Sequence, residues 1–311
     1  MMKVIQNRKK YYALSIIVIL IGLAFMTINA IKGEGAFKQA IEFTGGSLIQ
    51  VDMERPFSNE LRNELLAITE EVTGHTDARI TSAGETGVLI TMTREDALTR
   101  KELFEAIKEK YNLKEVTASR DEDFSPTISK DIKVGAIKAV VVGIALILVY
   151  ISLRFKDYRF GTSAVIALAH DILVMLSVYA IFRIPLNNSF IAAMLTIVGY
   201  SINDTIIIFD RIRENKAKIS LRDHVAASEE LVDSSINQTI GRSIATSITT
   251  VVMVIFLFLL GTESVKEFAF PLIIGILAGT YSSIFIASPI WYEFTRKNSK
   301  KGKQTKQIKK A

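Results

Sequence analysis

Six apolar runs determine what this chain can fold into, because each is long enough to cross a membrane as a helix. About 17–25 apolar residues, rising ~1.5 Å each, cover a hydrocarbon core of ~30 Å. A buried helix of a soluble core would be shorter and carry more polar interruptions. We therefore predict an α-helical polytopic membrane protein with six transmembrane helices. The runs are Tyr11–Ile31, Val134–Leu153, Gly161–Phe182, Phe190–Phe209, Ser243–Leu260 and Ala269–Trp291.

The positive charges between the runs predict how the chain is oriented. Lysines and arginines near span ends stay on the cytoplasmic side of a membrane. Here they cluster before the first run, in the second and fourth connections, and after the last run. These are alternate loops, so we expect both termini in the cytoplasm. The net charge of +6 therefore indicates membrane topology and not nucleic-acid binding. We expect the basic tail 293–311 to lie near anionic lipid or ribosomal partners.

The first run occupies the position of a signal peptide but is too long for one. Its apolar stretch is about 20 residues, whereas the apolar core of a cleavable signal has about 7–15. We expect residues 1–31 to be a short cytoplasmic segment followed by an uncleaved first span. The sequence contains no cysteine, which excludes disulfides, cysteine-based metal sites and thiol nucleophiles.

Residues 32–130 form the long hydrophilic segment, which this topology places outside the membrane. The pattern runs strand, helix, strand, strand, helix, strand, the order of a small ferredoxin-like α+β domain. Gly84 and Gly87 bracket a predicted hairpin turn, and the capping-box pair Thr99 and Glu102 predicts the start of the second helix. The predicted elements are Ser47–Met53, Ser58–Val72, Ala78–Ala83, Gly87–Met92, Thr99–Tyr111 and Glu115–Ser119.

The other five spans are expected to form a bundle over residues 131–292, with a cytoplasmic loop at 210–242. Apolar residues among the charges of that loop favour a helix on the membrane surface; they are Leu221, Val225, Leu231 and Val232. The sixth run carries a small residue at every fourth position, a spacing that lets helix backbones approach closely in lipid. These residues are Gly275, Gly279, Ser283 and Ala287. Tight packing without a transport role is enough to explain them.

Three ionisable residues lie within or at the ends of the apolar runs, where charge is costly and therefore indicates function. Asp171 is ~15 Å deep in the third span, close to the midplane. Asp204 in the fourth span is about 8 Å from the inner boundary. Arg242 opens the fifth span at that boundary.

Hydroxyl and amide side chains occur at a depth that matches Asp204, so we interpret the inner half of these helices as an ion or proton path. The relay candidates are Asp204, Arg242 and Asp171, and the supporting residues are Asn203, Ser201, Thr246, Ser247 and Thr250. Burial favours the neutral form of an aspartate and a nearby arginine favours its charged form, so a change in their distance would load and release an ion. The alternative is that Asp204 and Arg242 form a static pair that fixes helix register. For Asp171 a functional and a structural role remain equally open, since His170 could satisfy it.

No catalytic motif is present in the sequence. It contains no GxxxxGK[ST] phosphate loop, no HExxH metal motif and no serine, histidine and acid at plausible spacing. We expect a protein that is not an enzyme, that needs no cofactor, and that draws energy from an ion gradient or from a partner.

Six sequence segments carry a resemblance to a known family. They are EFTGGS (42–47), YISLRF (150–155), AHD (169–171), LTIVGYSINDTIIIFDRIREN (195–215), SINQTIGRSIATSITT (235–250) and GTYSSIFIASPIWY (279–292). Together they closely resemble the SecF branch of the SecD/SecF protein-export family, in the resistance-nodulation-division superfamily. The segments extend from the first span to the last, and the two longest are highly specific.

The resemblance implies half of a twelve-span transporter in the bacterial plasma membrane. Its expected partners are SecD, the SecYEG channel, YajC, a YidC-type insertase and the exported polypeptide, and its expected energy source is the proton or sodium gradient. Asp204 and Arg242 match the relay charges of the family. Two alternatives stay open: half of a small-molecule or lipid exporter from the same superfamily, and a non-conducting scaffold of the export complex.

Overall fold

The computed structural model describes residues 2–76, 78–92, 95–113, 120–155, 157–218 and 229–296. Within them, six helices are long and apolar enough to span a membrane. Five of these are α1 (Val4–Ile31), α5 (Pro126–Phe155), α6 (Tyr158–Phe182), α7 (Asn188–Ala217) and α8 (Glu229–Leu260). The sixth span combines α9 (Glu263–Ser282), a π-helical turn at Ser283–Ala287 and a final helical stretch at 288–296. The prediction of a six-span α-helical membrane protein is therefore confirmed.

The spanning helices extend beyond the apolar runs that predicted them. The sequence pattern marks the part of a helix that suits lipid, whereas the backbone hydrogen bonds continue into polar segments. Thus α7 continues from Phe209 to Ala217, and α8 begins at Glu229, well before Ser243. Leu231 and Val232 lie buried in α8, so for these two the expected membrane-surface helix is wrong. Leu221 and Val225 fall outside the described residues, as does most of the basic tail.

A small α/β domain is inserted between α1 and α5. Its strands are β1 (Gly46–Asp52), β2 (Arg79–Ala83), β3 (Gly87–Met92) and β4 (Arg120–Phe124), and its helices are α2 (Ile41–Thr44), α3 (Asn59–Thr73) and α4 (Ala97–Tyr111). The antiparallel sheet has the order β2-β3-β1-β4, which confirms the ferredoxin-like prediction. The predicted strand at 115–119 lies outside the described residues, and β4 follows it in the chain.

The core of this domain follows from the alternation of side chains along its strands. One face of the sheet buries Ile49, Val51, Ile80, Val88 and Ile90 against α3 and α4, which contribute Leu65, Leu103 and Ile107. The β2–β3 hairpin turns at residues 84–86, with Gly84 at φ +83°. The hairpin predicted from its glycines is therefore confirmed.

The predicted start of α4 was wrong by two residues, since the helix begins at Ala97 and not at Thr99. Asp96, not Thr99, is the N-cap residue, and its carboxylate accepts a hydrogen bond of 2.8 Å from the Thr99 backbone N–H. An aspartate at this position can satisfy a free N–H of the first turn. The capping-box pattern marked the correct turn but assigned the capping role to the wrong residue.

We expect the cap of α4 to weaken in acid. Hydrogen bonds from the Thr99 backbone N–H and hydroxyl hold the pKa of Asp96 below its ordinary value of 3.8. The ionised cap therefore stabilises α4 above pH 3.8. This contribution to stability is lost as the pH falls through the lowered pKa of Asp96. Hydrogen exchange of the first turn of α4, measured at pH 5 and pH 3 against the Asp96→Asn variant, checks this. Asparagine also caps helices but does not titrate, so equal protection of both proteins at both pH values would contradict the prediction.

The linker between α1 and the α/β domain is bonded to the α6–α7 connection. Gln39 and Leu186 form a parallel β-bridge, made by the Ala40 N–H to the Leu186 carbonyl and the Leu186 N–H to the Lys38 carbonyl, both 2.9 Å. Arg183 donates to the carbonyls of Glu34 and Gly35 at 3.1 and 3.0 Å. This linker bridge attaches the domain to the end of the bundle where α7 begins.

At the opposite end of the bundle, α8 caps the first helix. The N-cap residue of α1, Lys3, makes no side-chain cap. Instead the carboxylate of Asp233 accepts a 2.9 Å hydrogen bond from the Ile5 N–H. Asn237 bonds both the N–H and the carbonyl of Met2, at 2.8 and 2.9 Å. A carboxylate at a helix N-terminus is also favoured by the helix dipole, so Asp233 has a structural explanation.

The small residues of α9 are packed against α7. An added Cβ at Gly275 would lie 2.4 Å from Ile197 Cγ1, and one at Gly279 would lie 2.8 Å from Ser201 Cβ. One turn further, the Ser283 hydroxyl lies 2.8 Å from that of Thr205. The close approach of helices expected from the four-residue spacing is therefore confirmed.

Candidate ion-coupling site

Apart from Asp233, which caps α1, two carboxylates of the described spans are buried between the helices, on separate hydrogen-bond networks. Asp171 on α6 is 1% exposed and Asp204 on α7 is 2% exposed. Ser201 on α7 bonds Asp171, so Asp171 lies at the level of Ser201. Asp204 follows three residues later, about 4.5 Å further from the α/β domain at ~1.5 Å per residue.

Asp171 has a full set of hydrogen-bond donors. Its Oδ2 accepts from Ser201 Oγ at 2.6 Å and from Ser282 Oγ at 2.9 Å. Its Oδ1 lies 3.0 Å from His170 Nδ1, and His170 Nε2 lies 3.0 Å from Ser15 Oγ. The network joins α1, α6, α7 and α9, and a charge with this many donors is stabilised in place.

Asp204 has far fewer partners. Its Oδ2 accepts one hydrogen bond from Ser247 Oγ on α8, at 3.3 Å. The Ser247 hydroxyl is also 2.6 Å from Thr280 Oγ1 on α9. Among the described residues, no donor is within hydrogen-bonding distance of the other carboxylate oxygen. A buried carboxylate with one long hydrogen bond is poorly stabilised as an anion, so this group is suited to gaining a proton or a cation.

Arg242 lies near Asp204 but is not paired with it. It precedes Ser247, the partner of Asp204, by five residues on α8, about 7.5 Å along the axis. Its guanidinium makes no ion pair or side-chain hydrogen bond with any described residue. It is exposed and lines a groove of about 750 Å³ between α7 and α8. The static pair considered for Asp204 and Arg242 is therefore not formed in this conformation.

The other charges of this groove neutralise one another. Asp210 pairs with Arg213 and with Arg154, each at 2.9 Å. Glu214 pairs with Arg211 at 2.6 Å and with Lys218 at 2.9 Å. Within the part of the chain that the structure describes, Arg242 is thus the arginine of the groove whose guanidinium N–H groups have no partner.

The predicted supporting residues are divided between different places. Ser247 contacts Asp204, whereas Ser201 contacts Asp171. Thr250 receives a 3.2 Å hydrogen bond from Tyr200, and Thr246 donates to the Arg242 carbonyl on its own helix at 3.0 Å. Asn203 is exposed on α7 and bonds no described residue. Of these five residues, Ser247 is the one whose side chain contacts Asp204.

Sequence reasoning missed the contributions of α1 and α9. Ser15, Thr280 and Ser282 each complete one of the two networks, yet single serines and threonines in apolar runs carry no distinctive signal. The π-helical turn that starts at Ser283 directly follows these α9 residues. Such turns are rare in proteins overall, and those that occur are often found at functional sites. The described residues contain no cluster of three acidic or histidine side chains placed to hold a metal ion.

Comparisons with known proteins agree with this architecture. The family model for the C-terminal region of the protein export membrane proteins SecD and SecF matches residues 104–297. Protein translocase subunit SecF of Petrotoga mobilis is 35% identical over 290 residues, covering 90% of this chain and 93% of the relative. SecF of Sebaldella termitidis is 33% identical over 316 residues, covering 99% and 98%.

A solved structure matches as well. The crystal structure of SecDF from Thermus thermophilus, described as a translocon-associated membrane protein, superposes with a TM-score of 0.77 at 31% identity. The match covers 92% of this chain and 37% of the SecDF chain, so this chain corresponds to little more than a third of that protein. Sequence and fold together place this chain in the SecD/SecF protein-export family, among the SecF translocase subunits.

Proposed function

We propose that this subunit works with a SecD partner to couple an ion gradient to SecYEG-dependent protein export across the bacterial plasma membrane. The observation that supports the coupling is Asp204, a buried carboxylate with one 3.3 Å hydrogen bond next to an unpaired Arg242. A group of this kind inside a membrane is costly to maintain without a function.

The proposed cycle alternates the partner of Asp204. When an ion or proton neutralises the carboxylate, Arg242 is free to turn toward the groove. When the ion leaves, the charged carboxylate attracts the guanidinium and draws α7 and α8 together. Two charges at ~4 Å attract by about 4 kcal/mol at an effective dielectric constant near 20. One charge crossing 100 mV releases about 2.3 kcal/mol, so two ions per cycle supply enough energy to switch this contact.

The exposed face of α7 and α8 is the proposed contact surface for SecD. Asn203 and Arg242 are polar groups on this face, and Gly199 beside them leaves open space. Lipid would leave the amide and the guanidinium unsatisfied, whereas helices of a partner can supply hydrogen-bond acceptors. A partner at this face would also close the groove, so that residues of both subunits would line the ion path.

The α/β domain is proposed to lie outside the cell membrane and to meet the exported polypeptide. A groove of about 890 Å³ separates the sheet from the bundle, and its walls mix apolar residues such as Leu89 and Phe270 with polar ones such as Gln50 and Thr81. Mixed walls tolerate segments of varied sequence. Both termini then lie in the cytoplasm, in agreement with the distribution of Lys and Arg. The proposal includes YajC and a YidC-type insertase as further partners and requires no cofactor.

Reconstitution tests this function and identifies the ion. Vesicles containing SecYEG and this subunit, with SecD present or omitted, are loaded with a translocating substrate after the ATP-dependent step. We expect an imposed proton or sodium gradient to speed the completion of export by about tenfold or more, and only when SecD is present. The about 4 kcal/mol of the switched contact corresponds to more than a tenfold change in rate. A rate that ignores both gradients would contradict coupling and would leave a scaffold role.

A further inference from the structure

The hydrogen bonds to Asp171 all point toward the carboxylate. An ionised carboxylate only accepts, so the hydroxyls of Ser201 and Ser282 donate to its Oδ2. His170 then carries a proton on Nδ1 and donates to Oδ1, and in the neutral imidazole Nε2 accepts from the Ser15 hydroxyl. Tyr281 stacks on the His170 ring, with 6.0 Å between ring centroids. Every polar atom of the cluster is satisfied without an added ion.

This cluster connects α7, which carries Asp204, to α9, which carries Thr280 of the Asp204 network. One carboxylate oxygen of Asp171 accepts hydrogen bonds from both Ser201 of α7 and Ser282 of α9. Ser201 precedes Asp204 by three residues, and Ser282 follows Thr280 by two. On stiff helices these separations are about 4.5 Å and 3 Å along the axis. A shift of α9 against α7 on release of Asp171 would therefore move Thr280, and with it Ser247, relative to Asp204.

We propose that Asp171 and His170 form a positioning pair, which clamps α7 to α9 and so sets the geometry of the Asp204 site without carrying the ion. The proposal rests on the function proposed for Asp204, and it assigns Asp171 the structural one of the two roles that the sequence left open. It also gives a role to His170 and Ser15, which connect the clamp to α1.

The two roles predict opposite results for one substitution. Asp171→Asn keeps an oxygen that accepts from Ser201 and Ser282. The new amide can donate to His170 Nδ1, provided that the imidazole shifts its proton to Nε2 and donates to Ser15. The geometry is then preserved and the charge is lost. A positioning role predicts that Asp171→Asn retains gradient-driven export within about twofold, whereas an ion-carrying role predicts its loss, since an amide cannot take up a proton near neutral pH.

Asp171→Ala removes the clamp itself. We expect gradient-driven export to fall about tenfold to a hundredfold, the effect of displacing a functional group by about 1 Å. Asn29→Ala is the matched control, because Asn29 also joins α1 to α6 through a buried hydrogen bond, 3.2 Å to the Ala180 carbonyl, but lies at the other end of the contact. This control should keep the wild-type rate per assembled complex.

Chemical labelling of Asp204 measures the surroundings of this carboxylate independently of the export rate. An apolar carbodiimide modifies protonated carboxyls in the membrane, and mass spectrometry of the purified complex with SecD measures its rate on the peptide that contains Asp204. We expect that rate to change severalfold in Asp171→Ala and to stay unchanged in Asp171→Asn and Asn29→Ala. If Asp171→Ala does not assemble, Asp171→Asn alone decides between the two roles.

Three results would overturn the proposal: loss of gradient-driven export in Asp171→Asn, unchanged labelling of Asp204 in Asp171→Ala, or equal effects of Asp171→Ala and Asn29→Ala. Wild-type export that ignores both gradients would instead remove the function proposed for Asp204. The labelling comparison would still decide whether Asp171 positions that carboxylate, so the two failures are distinguishable.

Discussion

In the Asp204→Asn variant, export in vesicles should lose its response to an imposed ion gradient. Asparagine has the shape of aspartate and still accepts a hydrogen bond from Ser247, so the bundle should fold and assemble with SecD. It cannot take up a proton and presents no charge to Arg242. We expect the gradient-stimulated rate to fall by at least about tenfold, toward the gradient-independent rate, because the switched attraction of several kcal/mol is absent.

Asp233→Asn is the matched control for this substitution. Asp233 is also a buried carboxylate of the bundle, 6% exposed, but it caps the N-terminus of α1. Asparagine caps helices about as well as aspartate, so this variant should respond to the gradient as the wild type does. A normal response from Asp204→Asn, or an equal loss in both variants, would contradict the role proposed for Asp204.

A single methyl group at Gly275 should strongly destabilise the bundle. The Cβ of Gly275→Ala would lie 2.4 Å from Ile197 Cγ1 and 2.9 Å from its Cδ1 and Cγ2, so the whole side chain must move or the helices must separate. Overpacking of this kind costs about 1–3 kcal/mol, and separation would also break the Ser201–Asp171–Ser282 cluster. We expect a clear fall in the unfolding midpoint in detergent, monitored by fluorescence of Trp291, the one tryptophan of the chain.

Two further variants test the cause of this loss. Gly135→Ala adds the same methyl on α5 where no atom lies within 4 Å of it, and should leave the midpoint unchanged or raise it slightly. In an Ile197→Ala background, which lacks the clashing atoms, Gly275→Ala should cost less stability than it costs in the wild type. If Gly275→Ala lowers the midpoint equally in both backgrounds, the contact between α7 and α9 is not the origin of the effect.

The spans and the sheet were predictable because few alternatives satisfy the physics. In lipid every backbone group must be bonded internally, so a long apolar run is restricted to a helix. Gly84 adopts a left-handed conformation that few other residues tolerate, and this made the β2–β3 turn readable. Where several residues suit one role, prediction was less accurate, and Asp96 took the capping position expected at Thr99.

The candidate site was predictable in depth but not in direction around the helices. Ser201 and Asp204 lie within one helical turn of each other on α7, so both appeared to belong to one path. Packing turns Ser201 toward Asp171 and Asp204 toward Ser247, and that rotation depends on contacts between distant parts of the chain. The bond from Ser282 to Asp171 joins residues 111 positions apart, a pairing that no local pattern indicates.

The linker bridge has a mechanical consequence for α7. This helix has 30 residues, so it is a stiff rod about 45 Å long at ~1.5 Å per residue. Asp204 lies on it, and two residues before its first residue Leu186 is bonded to the segment that leads into the sheet. A displacement of the rod at the level of Asp204 would therefore act on the hydrogen-bonded segment that leads into the α/β domain. In the function proposed above, the two backbone hydrogen bonds of the bridge would transmit the displacement of α7 to the domain that meets the exported chain.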